Sequence, residues 1–158
     1  MRPSVRGVLL DHDDRLMIFR RTVPGREVYW SVPGGHVEPE DASLEHTLRR
    51  ELLEELGATV SSVTPLTTLS YPWEGGLKTQ HLYGCRLVEL DPARRHGPEF
   101  EDPSRGGYEV VRLPLAESEI TSRHVVPEAV AAYLSRHITA LPQLIDGPSH
   151  DTVERSLS

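Results

Sequence analysis

The chain contains very little cysteine and almost no lysine. Cys85 is the single cysteine among 158 residues. An internal disulfide and a zinc site built from thiolates are therefore excluded. We expect Cys85, which lies in a run of alternating apolar and polar residues, to be a buried thiol rather than a nucleophile. Lys78 is the only lysine, and arginine supplies the other strongly basic side chains. We attribute that imbalance to genome composition rather than to function.

Long apolar runs and a basic charge balance are absent too. The sequence shows no apolar run of membrane length, no signal-peptide pattern and no lipidation motif. We therefore expect a cytoplasmic protein without a membrane partner. The net charge of −7 lacks the basic footprint that a nucleic-acid polymer requires, so no such partner is expected. A small phosphorylated molecule is compatible with this charge, because a bound divalent cation offsets it locally.

Short strands and two helices are predicted along one domain. A chain of 158 residues is one domain by length, and its folded part is predicted to span residues 1–141. The remainder, 142–158, is rich in proline, glycine, serine and charge, and is predicted to be a mobile tail. This mixture of elements indicates α/β or α+β layering, and the pattern alone does not choose between them.

The predicted strands alternate with turns that contain glycine and proline. They cover residues 5–10, 15–20, 29–32, 59–69, 77–90 and 108–113. The first two are predicted to form a hairpin, Pro65 to interrupt the fourth, and residues 71–76 to turn between the fourth and fifth. Residues 91–107 are predicted to be a long loop. A terminal helix over 125–138 has Pro127 in its first turn.

Leucines at a spacing of four residues predict a helix immediately after an acidic loop and a predicted turn at the glycine pair Gly34-Gly35. The stripe consists of Leu44, Leu48, Leu52 and Leu56. Ser43 is a candidate cap for the start of this helix, although Asp41 competes for that role. Gly57 supplies the left-handed residue that ends it.

Another face of this helix is acidic. Glu51, Glu54 and Glu55 lie three and four residues apart, so their carboxylates can converge, and Arg50 lies one turn before Glu54. An ordinary solvated acidic face is one interpretation. The glycine pair and acidic loop upstream favour another, because they bring a backbone carbonyl and a further acid to the same place. Clustered oxygen ligands suit a hard divalent cation such as Mg²⁺ or Mn²⁺.

Residues 35–58 resemble the signature of the Nudix hydrolase family, G-x5-E-x7-R-E-U-x-E-E-x-G-U, where U is a bulky aliphatic residue. The second half of the signature matches position by position, with Ala58 as a small last member. The matching residues are Arg50, Glu51, Leu52, Glu54, Glu55 and Gly57. The preceding Trp-Ser-Val-Pro at residues 30–33 is also typical of the family.

The first half of the signature departs from the family pattern. Counted from Gly35, the acidic position falls on Asp41 instead of a glutamate, and eight residues instead of seven separate it from Arg50. We interpret this as a loop lengthened by one residue, with Glu40 or Asp41 in the first acidic role.

The resemblance spans about residues 2–140 and implies the Nudix α/β/α sandwich, a mixed sheet between helices. It implies a MutT-like pyrophosphohydrolase, which cleaves a phosphoanhydride in a nucleoside diphosphate linked to another group. Substrates of this type are dNTPs, ADP-ribose and nucleotide sugars. Mg²⁺, or alternatively Mn²⁺, is the implied cofactor, a small nucleotide the implied partner, and a monomer or homodimer the implied assembly.

Site roles follow from motif position. The implied metal ligands are Glu51, Glu54, Glu55 and the carbonyl of Gly35. Catalytic roles fall on Glu51 as ligand or general base, on Glu54, and on Arg50, which would fix the orientation of the carboxylates. Further acids that could be the general base or complete a metal site are Asp41, Glu40, Glu99, Glu101 and Glu109. For each of them, ordinary solvation at the surface is the alternative interpretation.

Candidates for substrate binding are aromatic or basic. The preferred ones are Arg20, Arg26, Trp30, His36 and Trp73. Further possible stacking platforms are Tyr29, Tyr71 and Tyr83. Trp73, in a turn with two glycines, is the aromatic residue that core packing explains least well.

Two other functions compete with hydrolysis. A non-catalytic Nudix-like sensor of nucleotides usually lacks the signature glutamates, which are all present here. An isomerase acting on an isoprenoid diphosphate would need a cysteine near the site, and Cys85 lies well after the signature. The retained glutamates favour the hydrolase.

Overall fold

The computed structural model describes residues 3–96 and 106–147. Glu99 and Glu101 therefore lie outside the described residues. The strands are β1 Ser4–Leu10, β2 Leu16–Thr22, β3 Tyr29–Ser31, β4 Gly34–His36, β5 Ala58–Trp73, β6 Gly76–Leu90 and β7 Gly107–Leu113. The helices are α1 Leu44–Leu56, α2 Glu117–Thr121, α3 Glu128–His137 and α4 Leu141–Asp146, with 3₁₀ turns at Pro92–Arg94 and Ile138–Ala140.

Strand β1 organises a mixed sheet. It pairs antiparallel with β2 through Leu9↔Met17, which confirms the predicted hairpin, and antiparallel with β4. Its other edge pairs in parallel with β6 over its whole length. The order along the sheet is β3-β2-β1-β6-β5, with β4 added beside β1 and β7 beside β2.

Both faces of this sheet are covered, as the alternation along β1 shows. Val5 and Leu9 belong to the apolar cluster under α1, whereas Val8 and Leu10 belong to the cluster under the C-terminal helices. Successive side chains of a strand point to opposite faces, so a strand buried on both sides is apolar throughout. The α/β/α sandwich is thereby confirmed.

Helix α1 packs closely on β1 because Gly7 has no side chain. A Cβ at Gly7 would lie 3.1 Å from Leu48 and 3.3 Å from Leu52. Both leucines are fully buried. Each contributes about 1.5–3 kcal/mol relative to an exposed position. The predicted leucine stripe is therefore the face that anchors α1, and its opposite face stays available for polar groups.

Several boundaries differ from the sequence-based expectations. Strand β5 continues through Pro65, because register shifts around this residue absorb it into the ladder instead of ending the strand. The turn that follows is shorter than predicted, since only Glu74 and Gly75 separate β5 from β6, both with positive φ. The glycine pair is a strand, β4, rather than a turn.

The C-terminal region contains more helix than predicted. Helix α2 was not predicted, and the terminal helix begins at Glu128 because Val125 pairs with Trp30 as an extension of the sheet. Helix α4 adds the buried Leu141 and Ile145 to the core. The division of the chain at residue 141 stays a prediction, although helical structure continues to Asp146.

Two expectations about burial and membranes can be compared with the described residues. Cys85 is fully buried, and burial raises the pKa of its thiol to about 12, so it is protonated at neutral pH. Within residues 3–96 and 106–147, no helix has both the length and the apolar character needed to cross a bilayer.

Candidate active site

Helix α1 holds the acidic face at a defined position. Ser43 is its N-cap and accepts a hydrogen bond from the His46 backbone N–H at 3.0 Å. Gly57 ends it in the left-handed conformation with φ of 70°, and its N–H donates to the Leu53 carbonyl at 2.9 Å. Both predicted helix boundaries are confirmed.

Arg50 is the centre of the polar cluster. Its Nε and Nη2 donate to the two carboxylate oxygens of Asp41, at 3.0 and 2.8 Å. Its Nη1 donates to Glu51 at 2.8 Å and to Glu54 at 3.1 Å. Its Nη2 also donates to the His36 carbonyl at 3.2 Å. The rigid guanidinium therefore ties the acidic loop to two carboxylates of α1.

Asp41 occupies the loop position opposite this guanidinium. Its side chain is only 2% exposed and also accepts hydrogen bonds from the Glu38 N–H at 2.9 Å and the Thr47 hydroxyl at 2.8 Å. The Arg50 guanidinium, with these donors, holds the pKa of Asp41 well below its usual range, so the carboxylate is ionised. Glu40 is exposed. Of the two candidate acids in the lengthened loop, Asp41 is the one that reaches the cluster.

The glycine pair lies directly against the acidic face. A Cβ on Gly35 would lie 2.4 Å from the carboxyl carbon of Glu51, so any side chain at this position would displace the Glu51 carboxylate. The N–H of Gly34 donates to Glu55 at 2.8 Å. Glu51 and Glu55 are thus placed by backbone that carries no side chain.

Ladder geometry shows which glycine faces the carboxylates. Gly35 lies opposite Val5 in the β1–β4 ladder. The next pair but one is hydrogen-bonded, because the N–H of Gly7 donates to the Pro33 carbonyl at 2.8 Å. Since bonded pairs recur every second residue in an antiparallel ladder, the polar backbone of Gly35 faces β1. Gly34 faces the opposite edge, where Glu55 lies. The backbone N–H directed at the acidic face is thus that of Gly34, one residue before the glycine whose carbonyl is the predicted ligand.

The carboxylates have suitable chemistry for a hard divalent cation. Glu51 and Glu54 are 14% and 22% exposed, supply only oxygen donors, and converge on one nitrogen of Arg50. However, residues 3–96 and 106–147 contain no group of three or more acidic, histidine or cysteine side chains that are close enough together to hold a metal ion as they stand. Arg50 donates hydrogen bonds to Glu51 and Glu54, and the Gly34 N–H donates to Glu55. The donor set fits the ion in type, and its carboxylates are held by internal partners.

A cleft of about 570 Å³ opens beside this cluster. It lies among β3, the β5–β6 hairpin and the start of α3. Its cationic lining residues are Arg6, Arg21, Arg26 and Lys78. Its aromatic lining residues are Tyr29, Tyr71 and Trp73. Glu128 is the acid in this lining, so the cleft is basic although the whole chain is acidic.

Two contacts of His36 connect the cleft to the cluster. Its imidazole Nε2 lies 3.0 Å from the Lys78 ammonium in the cleft wall. Its carbonyl accepts the bond from Arg50. His36 therefore joins a cation of the cleft wall to the arginine of the acidic cluster.

The predicted substrate residues separate into two groups. Trp73 is 48% exposed and lines the cleft, as does Arg26, whose guanidinium lies 4.7 Å from the centre of the Tyr29 ring. Trp30 instead packs against the core cluster under the C-terminal helices. Arg20 is outside the cleft lining and pairs at 3.6 Å with Glu109, whose side chain is 66% exposed.

The cleft residues that were not among the sequence-based candidates include Arg6, Lys78, Gln80 and Glu128. The sequence held a signal for Gln80, because alternation along β6 places it on the same face as the apolar Leu82. In the structure Gln80 is 2% exposed. The sequence held no such signal for Arg6 and Glu128, because they join the cleft only through the parallel β1–β6 pairing and the packing of α3.

Comparisons with known proteins agree with this geometry. A family model described as the NUDIX domain matches residues 1–128. No curated protein sequence matches the chain. The solved NUDIX hydrolase of Nitrosomonas europaea is 18% identical, with a TM-score of 0.69 over 89% of this chain and 90% of its own.

Two further solved structures share the fold. The MutT protein of Methanosarcina mazei Go1 is 18% identical, with a TM-score of 0.60 over 85% of this chain and 91% of its own. The NUDIX domain of Shewanella oneidensis NrtR, solved with ADP-ribose, is 17% identical, with a TM-score of 0.63 over 87% of this chain and 86% of its own. Since the family model covers most of the chain, the chain belongs to the NUDIX domain family and is a Nudix pyrophosphohydrolase.

Proposed function

We propose that the protein hydrolyses, with Mg²⁺, a phosphoanhydride bond in a nucleoside diphosphate linked to another group. The observation that carries this proposal is the contact of a basic cleft with an acidic cluster through His36. An anionic ligand is attracted by the cleft, and a cation by the cluster. A diphosphate that carries a divalent cation meets both requirements at once.

In this proposal the cleft binds and orients the substrate. Lys78 and Arg26 attract the phosphate oxygens, and Lys78 is linked to the cluster through its contact with His36. Trp73 and Tyr29 offer ring faces for the nucleobase. Holding the diphosphate beside the carboxylates makes the reaction effectively unimolecular, because the reacting groups are already in place.

The metal ligands in this proposal are Glu51, Glu54 and Glu55, together with a backbone oxygen of the glycine pair. Ladder geometry favours Gly34 over Gly35 for that oxygen. A bound divalent cation supplies Lewis-acid polarisation of a phosphoryl oxygen. Mg²⁺ and Mn²⁺ both suit an oxygen-only donor set, and Mg²⁺ is the proposed cofactor.

Arg50 orients the ligands rather than reacting. It donates to Glu51 and Glu54 from one nitrogen, and Asp41 anchors its opposite side through two bonds. Glu51 is the proposed general base among the described residues, because it adjoins the glycine pair and is partly exposed. Glu99 and Glu101 stay alternative candidates for that role.

The substrate class is supported by one neighbour and by the size of the cleft. The similar NUDIX domain of Shewanella oneidensis NrtR was solved with ADP-ribose, a nucleoside diphosphate joined to a sugar. A cleft of about 570 Å³ lies within the range of small-molecule sites. We therefore place ADP-ribose, nucleotide sugars and dNTPs first among the compounds to test.

The test is product identification by mass spectrometry in ¹⁸O-labelled water. Purified protein is incubated with dNTPs, ADP-ribose, dinucleoside polyphosphates and nucleotide sugars, with Mg²⁺, with Mn²⁺ and with EDTA. We expect one class to be cleaved with metal only, and the label on one product identifies the phosphorus attacked. Binding without turnover of any compound would contradict hydrolysis and support the nucleotide sensor instead.

A further inference from the structure

Gln80 is a buried amide in the wall of the cleft. It is 2% exposed, and both of its polar atoms are bonded. Its Oε1 accepts from Nε of Arg6 at 2.8 Å, and its Nε2 donates to the Tyr71 hydroxyl at 2.7 Å. The three side chains form a chain of hydrogen bonds that ends at the surface of the cleft.

The direction of these bonds follows from chemistry alone. A guanidinium can only donate, so the oxygen of Gln80 must face Arg6 and its NH₂ group must face Tyr71. Arg6 is itself held by a bond from Nη1 to the Val32 carbonyl at 3.0 Å. The Tyr71 oxygen is consequently an acceptor towards Gln80, and its own hydrogen points elsewhere.

Tyr71 therefore offers a donor to whatever occupies the cleft. Its side chain lines the cleft, and within residues 3–96 and 106–147 no hydrogen bond uses its hydroxyl as the donor. Trp73 lies two residues further along β5 and lines the same cleft, so one ligand can reach both side chains.

We propose that Tyr71 selects the substrate by donating a hydrogen bond to an acceptor atom of its nucleoside part, either a base acceptor or a ribose oxygen. Gln80 and Arg6 are positioning residues, which act by making the Tyr71 hydroxyl a donor towards the cleft. This inference rests on the proposed function, because it places the nucleoside of the substrate in this cleft.

The first test removes the hydroxyl and measures equilibrium binding. Dissociation constants of AMP, GMP, CMP, UMP, ribose 5-phosphate and inorganic phosphate are measured by calorimetry for the wild type and Tyr71→Phe. We expect Tyr71→Phe to raise the Kd of at least one nucleotide about fivefold, the loss typical of one hydrogen bond. The Kd of inorganic phosphate should stay unchanged, because the acceptor belongs to the nucleoside.

The ribose 5-phosphate arm identifies the source of the acceptor. A loss that persists with ribose 5-phosphate assigns the bond to the ribose, whereas a loss seen only with nucleotides assigns it to the base. Tyr133→Phe is the matched control, since it removes one hydroxyl from a partly buried ring of α3 outside the cleft lining. Its Kd values should equal those of the wild type.

A second variant tests the direction of the bonds. Gln80→Glu keeps the acceptor that faces Arg6, but a carboxylate cannot donate, so the Tyr71 hydroxyl turns to donate to it. The donor is thereby withdrawn from the cleft without removing Tyr71. Gln80→Glu in the Tyr71→Phe background measures the effect of the added charge alone. We expect Gln80→Glu to raise the Kd several-fold more in the wild-type background.

The outcomes separate this proposal from the proposed function. Equal Kd values for wild type and Tyr71→Phe, or additive effects of the two substitutions, would overturn the hydroxyl's role. An effect on inorganic phosphate would overturn its assignment to the nucleoside. Thermal unfolding midpoints show whether each variant is folded. Nucleotide binding without any turnover would contradict hydrolysis alone. Turnover by a wild type that binds none of the nucleotides would overturn the placement of the nucleoside in this cleft and leave hydrolysis standing.

Discussion

The acidic cluster and the basic cleft lie side by side and differ in charge and in construction. The cluster comes from two neighbouring segments, β4 with its acidic loop and helix α1. The cleft combines β1, β3, the β5–β6 hairpin and the start of α3. The cluster is held by charged hydrogen bonds around Arg50, whereas the cleft presents cations and aromatic rings to solvent.

This contrast shows how an acidic protein can bind an anion. The net charge of −7 excludes a broad basic surface, and the cations that matter are concentrated in one cleft. Charges separated by more than about 10 Å are largely screened at 0.1 M salt, so a ligand in the cleft responds to its lining rather than to the net charge. Local charge therefore decides what each region binds.

The largest expected effect belongs to the acidic cluster. Glu54→Gln combined with Glu55→Gln should lower turnover by about 10³-fold while the fold is retained, because the amides keep the size but lose the charge that holds a cation. The measurement is kcat/KM across a Mg²⁺ titration. Glu45→Gln is the control on the same helix, since Glu45 is exposed and forms an ion pair with Arg49 at 2.9 Å. Full activity in the double variant would remove the metal assignment.

Stability of the cluster should depend on Asp41 and on pH. Arg50 lowers the pKa of Asp41 in the folded state. The contribution of the pair to the free energy of unfolding is therefore fully present above the unfolded-state pKa of about 3.9, and it is lost as the pH falls through the folded-state pKa. Asp41→Asn should cost about 1.5–3 kcal/mol at pH 7 and proportionally less in acid. Urea unfolding at pH 7 and pH 3 measures this, and an equal cost at both values would contradict it.

The fit of the glycine pair against α1 should be sensitive to a single methyl group. Gly35→Ala places a Cβ 2.4 Å from the Glu51 carboxyl carbon, so Glu51 must move. We expect kcat/KM to fall by about 10- to 100-fold, as when a ligand loses its support. Gly76→Ala should leave activity unchanged, because its Cβ would meet nothing nearer than 3.9 Å. Equal activity of both variants would show that the close contact has no functional role.

The smallest expected effect belongs to the cleft. Trp73→Ala should raise KM about tenfold with little change in kcat, because stacking on an aromatic ring contributes about 1–3 kcal/mol per base. Steady-state kinetics measures this, with the substrate that the mass-spectrometric test identifies. Leu77→Ala is the control in the same hairpin, since Leu77 is 65% exposed and is not part of the cleft lining. A larger change in kcat than in KM would place Trp73 in the chemical step instead.

Helix α1 and the arginine cluster could be predicted from the sequence because their interactions are local. Leucine spacing identified the buried stripe, Gly57 the helix end, and the four-residue spacing the bond from Arg50 to Glu54. The long β5–β6 hairpin was only partly predicted, because Pro65 suggests a break that the register shifts avoid. Alternation within single strands shows burial but does not show which strands are neighbours.

The chain by itself determined the family signature and the acidic helix face, because these depend on residues that lie close together in the sequence. The α/β class followed from the resemblance that the signature carries, since the pattern of elements alone did not choose it. Only the tertiary structure decided that Trp30 packs in the core while Tyr71 and Trp73 line the cleft. It also brought Arg6 to Gln80, 74 residues away, through the parallel pairing of β1 with β6. Contacts at such separations depend on strand order, and strand order is set by the packing of the whole sheet.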